Sequence, residues 1–299
     1  MKDWDEDRPA AGKKTTPQAR EPEGNVSLPT LVQAMETLRE NYSWVTHFRV
    51  EHPGFDFPSF KTIPWTEFTT GLADCKLALI SDAGVFVKGQ KPFSVVGGVL
   101  PEPLLEQKFK EVGDWSYRLI PRDVAAHELR VAHSHLDSLR VERDINCVFP
   151  IERVRELADE TYVAEPATDH FSLMGHIPEF QRLYDKTIPE IIERLKGDNV
   201  SAVLLTPGDC LGHQTQAILQ REIEQQGIAT VSISLCRDVT EKIGVPRAVT
   251  LRFPFGHTLG PTSDDIMQIR IVKDALQLLE TATAPGTVVA LPYEWVADE

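Results

Sequence analysis

The sequence predicts an α/β fold: a parallel, doubly wound sheet, arranged as two flavodoxin-like lobes. In the second half, short apolar runs alternate with longer stretches whose apolar residues recur at helical spacing. The runs are continuously apolar, as in strands covered on both faces, and they end in turns containing Gly or Pro. Size agrees, since 299 residues at 41% hydrophobic and 25% charged supply the core of one large domain or two fused halves.

In chain order, residues 1–26 mix charges with Pro, Ala and Gly and are expected to form a disordered tail. Leu28, Leu31, Val32, Met35 and Leu38 then recur at helical spacing and predict a short amphipathic helix, with Pro29 in its first turn. Residues 52–68 (HPGFDFPSFKTIPWTEF) hold three prolines and five aromatic rings, which suits an extended segment laid across a surface. The run KLALI at 76–80 predicts a buried strand ending at the turn SDAG, and residues 94–114 show no regular pattern. An N-terminal lobe over 27–150 and a C-terminal lobe over 151–299 are expected.

The C-terminal half reads more clearly. Helices are expected over 151–158 and over 188–195, the second ended by KGDN. A strand at 200–205, the turn PGDCLGH, a helix over 214–226 ended by Gly227 and a strand at 229–235 compose a βαβ unit. A helix at 239–243, a strand at 249–253, the turn PFGHTLGP and a helix over 264–280 follow. Open parallel sheets bind ligands at strand C-termini, so the loops after Leu205, Leu235 and Phe253 are where chemistry is expected.

A net charge of −14 repels phosphate backbones and anionic lipid surfaces, so neither nucleic acid nor membrane is an expected partner. No run reaches the ~18 apolar residues of a membrane span, and the N-terminal residues lack an apolar leader core. Cys75, Cys147, Cys210 and Cys236 form no C-x-x-C pair, which fits reduced thiols and a cytoplasmic location. The P-loop, G-x-G-x-x-G and G-x-S-x-G motifs are absent. No resident cofactor is predicted.

Three constellations could carry chemistry. Thr206, Asp209, Cys210 and His213 lie between a strand and a helix, where the positive end of the helix favours a thiolate at Cys210. The alternative makes Cys210 a small corner residue and Asp209 an N-cap. In the second, His133, His135 and Asp137 share one face if the chain is extended there, and they would contact substrate or bind Zn²⁺ or Fe²⁺, with Asn146 orienting the group. The third, Gly256 and His257 in PFGHTLGP, would reach the same edge as Cys210. His176, in SLMGHIP, makes a weaker case of the same kind.

The runs FKTIPWTEF, RVAHSHLDSLRVERDINCVFPIERVREL, LLTPGDCLGHQTQAILQREIEQQGIATVSIS and RFPFGHTLGP together resemble the glycine/sarcosine/betaine/D-proline reductase selenoprotein B family, over roughly residues 40–280. The resemblance implies reductive C–N cleavage of a small amino acid or related amine by a selenol or thiol nucleophile. It also implies a partner reductase subunit, on which some members carry a pyruvoyl carbonyl. The family's C-x-x-C or selenocysteine-x-x-C pair falls on Asp209 and Gly212, with Cys210 displaced by one position. A single thiol cannot close an internal disulfide, so an external thiol or disulfide partner is expected, with Cys236 a resolving thiol only at short range.

Three functional expectations follow. One is a thiol-dependent reductase with Cys210 as nucleophile and His213, His257, His133 and His135 handling protons or positioning substrate. Another is a redox-silent subunit that binds a small molecule, and the third is a metal enzyme built on His133, His135 and Asp137. A two-cysteine racemase competes less well, because Cys75 precedes its strand.

Overall fold

The computed structural model describes residues 42–95, 113–133 and 135–296. The expected tail, the helix over 28–38 and most of the irregular stretch 94–114 lie outside the described residues. The elements in order are α1 (Trp44–Glu51), β1 (Lys76–Ser81), β2 (Val85–Val87), β3 (Arg118–Pro121), β4 (Leu129–Val131), α2 (Ser138–Val141), α3 (Ile151–Asp159), β5 (Glu165–Pro166) and β6 (Asp169–Ser172). There follow α4 (Ile188–Gly197), β7 (Ala202–Thr206), α5 (Cys210–Gln225), β8 (Ala229–Ser234), α6 (Arg237–Ile243), β9 (Arg247–Thr250), α7 (Asp265–Thr281) and β10 (Thr287–Ala290). All belong to the compact unit Ser43–Glu299.

One mostly parallel sheet organises most of them in the order β10-β9-β8-β7-β1-β6-β3, with β5 also on β1 and only β3 antiparallel to its neighbour, while β2 and β4 pair antiparallel in a separate two-stranded sheet. Strands from both sides of residue 150 therefore share one sheet. The doubly wound α/β class is as expected, and alternation within the strands shows how it is built. Leu77 and Leu79 pack in the same core as Val154 and Leu157 of α3 and Ile271 and Leu276 of α7. Ala78 and Ile80 point the other way, to Ile191 and Leu195 of α4 and Ile218 and Leu219 of α5. From β1 the chain reaches β6 on one side, then returns to β7 on the other and proceeds outward through β8, β9 and β10. The β1/β7 boundary is thus the topological switch point, where a crevice opens at the strand C-termini.

Several strand and helix assignments differ from the sequence expectation. β2 to β6 and β10 are short, and the two to four residues of each carry too little periodicity to announce themselves. The helix expected from Gln214 begins at Cys210, because Asp209 caps it by accepting from the Gly212 amide, at 2.6 Å. Cys210, Leu211, Gly212 and His213 are therefore the first turn of α5 and not part of a loop. Fourteen residues of α5 are buried, many of them polar, and several of their side chains bond backbone groups of neighbouring segments. Gln214 donates to Ile177 O (3.1 Å) and Thr215 to Gly175 O (2.7 Å), which fixes the loop after β6 against the helix.

Residues 52–68 run without regular structure, as expected, and Trp65 and Thr66 strap the chain onto α5 and β9. Thr66 N donates to Glu224 and Arg247 donates to Thr66 O (2.7 Å), with the guanidinium 4.0 Å from the Trp65 ring centroid.

Candidate functional site

The switch point gathers residues from three neighbouring strand ends. Asp82 follows β1, Asp209 follows β7 and His176 follows β6, while His133 arrives from β4 over the same edge. That last placement depends on Gly84, whose carbonyl accepts from Ala132 N (2.9 Å) and whose amide donates to Leu173 O (2.8 Å). Gly84 has φ +73, and a Cβ there would strike the Ala132 backbone.

Asp209 is the hub. Its Oδ1 caps α5, and its Oδ2 lies 2.8 Å from His135 Nδ1 and 3.7 Å from His176 Nδ1. The His135 and His176 rings are 4.3 Å apart between centroids, and His133 Nδ1 accepts from the His135 amide at 3.1 Å. Burial acts to raise the Asp209 carboxyl, but the His135 hydrogen bond and the nearby His176 and His133 imidazoles outweigh it and hold the group well below its ordinary range. Burial lowers His133 to about 4, so its ring is neutral near pH 7.

Asp82, beside Asp209, behaves oppositely. It is fully buried; Oδ1 accepts from Gly208 N at 2.5 Å, and Oδ2 has no hydrogen-bond partner among the described residues. Burial first, then the Asp209 charge, push it well above the usual carboxylate range. Its carboxyl occupies space left by glycines: a Cβ on Gly175 or Gly212 would lie within 3.0 Å of its atoms. Two neighbouring carboxyls whose proton affinities are shifted in opposite directions are a usual acid/base arrangement. Sequence reasoning placed Asp82 only in a turn; its signal was its position after the first parallel strand.

The other candidates fall into place less centrally. Asp137 does not join the histidines: it caps α2 by accepting from Arg140 N, so the expected His133–His135–Asp137 group is corrected to His133, His135 and Asp209. Position 134 lies outside the described residues, and His133 is not in a strand. His213 Nδ1 hydrogen-bonds Asp209 O (2.6 Å), and Nε2 accepts from Leu235 N (2.8 Å) and Cys236 N (3.2 Å), tying α5 to the β8–α6 turn. Burial brings it to about 4. Thr206 donates to Val148 O at 2.6 Å, and Asn146 is bound between Asp144 and Glu152. His257 lies 4.9 Å from the Trp295 ring centroid, and Gly256 turns the same loop with φ +85.

Cys210 is buried in a cluster with Phe57, Leu211, Val239 and Cys236. The lowered thiol affinity expected at a helix N-terminus is not found. Burial raises Cys210 against the opposing influence of the neighbouring Cys236 thiol, and burial together with the Cys210 thiol carries Cys236 well above its ordinary value. A cavity of about 920 Å³ lined by Lys91, Trp115, Arg118 and Lys186 includes none of these residues.

The chain is 36% identical over 233 residues to the D-proline reductase subunit gamma of Acetoanaerobium sticklandii, covering 78% of this chain and 90% of that one. The chain belongs to the glycine/sarcosine/betaine/D-proline reductase selenoprotein B family. Within that family it is 26% identical over 247 residues to the glycine reductase complex component B subunit gamma of Symbiobacterium thermophilum, matching 81% of this chain and 54% of that one. It is 23% identical over 252 residues to the sarcosine reductase complex component B subunit beta of Peptoclostridium acidaminophilum, at 81% and 53% coverage. The chain thus spans about half the length of these glycine and sarcosine reductase subunits. No protein-family model and no solved structure matches it. These selenoprotein B relatives are named as subunits of reductases or reductase complexes, which supports a reductase-type role and partner subunits. No helix among the described residues is long and apolar enough to cross a membrane.

Proposed function

We propose that this chain is the substrate-contacting subunit of an amino-acid reductase complex of the D-proline reductase kind, receiving a small amino acid or related amine at the β1/β7 switch point. One observation carries the reading: Asp209, at the position of the family's chalcogen, stands ionised at the helix start with His135 2.8 Å away. A carboxylate with imidazole donors beside it suits the two ends of a zwitterion. The neutral His133 ring, with Nδ1 taken by the His135 amide, is suited to present its Nε2–H as a donor.

Reductive C–N cleavage breaks one C–N bond, forms C–H and N–H, and consumes two electrons and two protons. In this reading Cys210 and Cys236 supply them, two thiols becoming one disulfide, and an external dithiol or a partner subunit restores the pair. Their place in one buried cluster supports the pairing. The raised thiol affinities favour a second reading, in which the chain binds the amine while its partner performs the redox step.

The test uses the purified chain, a dithiol donor and a panel of small D- and L-amino acids, with binding by calorimetry and product by mass spectrometry. Saturable binding that falls at least about ten-fold, ~1.4 kcal/mol, in Asp209→Asn is expected. Cys210→Ser should abolish turnover and leave binding in place. Binding with no thiol-dependent product selects the second reading, and absence of binding by any small amine overturns both.

A further inference from the structure

His133, His135 and Asp209 each offer one ligand atom, and these atoms lie within 4.8 Å of one another. Asp209 lies 74 residues beyond His135, so its meeting with the two histidines is a product of the fold. His133 Nδ1 accepts from the His135 amide, so the neutral ring carries its proton on Nε2, and ligation requires the ring to exchange one of these roles for the ion. Its Nε2 is buried and forms no hydrogen bond of ordinary geometry among the described residues, although the Met174 backbone lies near the ring. Asp209 Oδ1 is held by Gly212 N, which leaves Oδ2 to face the imidazoles. The His135 side chain is 49% exposed, so the cluster opens to solvent on that side. Asp82 Oδ2 is a second buried polar atom without a hydrogen-bond partner among the described residues.

Two imidazoles and one carboxylate with an open side are the donor set of catalytic zinc sites and of non-haem iron sites. We propose that His133, His135 and Asp209 bind a divalent transition ion of the Zn²⁺ or Fe²⁺ class, with a coordination position left open toward solvent. Metal–ligand bonds of about 2.0–2.2 Å require the three atoms to draw closer together. The half-exposed His135 is the ligand free to move, exchanging its hydrogen bond with Asp209 Oδ2 for a shared ion. The role of the ion rests on the function proposed above, since its open position would take the amino or carboxylate group of the substrate. Binding of the ion does not depend on that reading.

The experiment takes the full chain, stripped with chelator, and titrates it with Zn²⁺ by calorimetry and with Co²⁺ by visible absorption, without substrate. One ion per chain is expected, with a Co²⁺ spectrum that lacks a thiolate charge-transfer band. His135→Ala, at a half-exposed position, and Asp209→Asn, which retains a capping oxygen, should each weaken binding at least about ten-fold, since even outer-shell changes cost about 10–100-fold. Cys210→Ser should bind as the native chain does. The proposal fails if Zn²⁺ shows no saturable binding, if both site variants bind as tightly as the native chain, or if Cys210→Ser removes the ion. Any of these leaves the amine-binding assay standing on its own result.

Discussion

Gly212 lies in the first turn of α5, where alanine would ordinarily strengthen a helix. Here a Cβ would sit 2.5 Å from Asp82 Oδ1 and 2.9 Å from Oδ2. Gly212→Ala is therefore expected to destabilise the protein by about 1–3 kcal/mol, and shortening Asp82 to Ser in the same chain should recover most of the loss. Urea unfolding of the four members of that cycle measures the coupling; additive effects would show that the two residues do not press on each other. The same residues show what was legible. Gly212 was noted as the position of a missing second chalcogen, yet nothing in its spacing tells that a carboxyl 130 residues earlier fills the space. His133, His135 and Asp209 were named from local motifs, and their meeting was not. Asp137, two residues beyond His135, looked like their partner because spacing in an extended chain suggested it, but it was better used to cap α2.

At the scale of elements, α5 shows how a strap is made part of a core. Glu224 and Arg247 form a fully buried ion pair at 3.1 Å, with Glu224 also accepting from Thr230 N and Thr66 N. Burial raises the Glu224 carboxyl and lowers Arg247, each partner's charge opposing the shift in the other. Removing one partner strands the other in the interior. Glu224→Ala should cost about 3–5 kcal/mol, while replacing both residues with Met should cost much less. Thermal denaturation compares them, and equal losses in the single and the double variant would show that the pair itself is not what the site needs. The extended nature of residues 52–68 followed from their prolines, whereas their attachment at Trp65 and Thr66 depends on two charges far away in sequence. Likewise, the helix beginning at Gln214 was readable from its periodicity, but its true start was set by the Asp209 cap.

For the whole molecule, stability in acid is tied to His170, which is fully buried and accepts from Leu79 N at 3.1 Å through Nδ1. Burial lowers its proton affinity to about 3, with the charges of Arg155 and Arg122 adding to the effect. Between the unfolded value of about 6.5 and about 3, the unfolded chain binds a proton that the folded chain refuses. Stability from this group is fully present above that window and falls as pH drops through it, by up to ~1.4 kcal/mol per pH unit. Denaturant midpoints measured from pH 7 to pH 4 should decline, and His170→Gln should decline less steeply. An unchanged slope in that variant would remove His170 as a source of the acid sensitivity.

The sequence alone determined the α/β class, the βαβ unit around Asp209, the C-terminal helices and the family. These follow from periodicity, turn residues and contiguous motifs, all of them properties of nearby positions. Tertiary structure alone decided that β1 and β7 lie side by side at the switch point. It thereby brought Asp82, His133, His135, His176 and Asp209 to one edge, turned Cys210 toward Cys236 in an apolar cluster, and gave His213 a tying role. Strand order is set by how the faces of the sheet are covered in three dimensions. The proton affinities follow from burial and from charges arriving out of other segments, quantities that no local window of sequence contains.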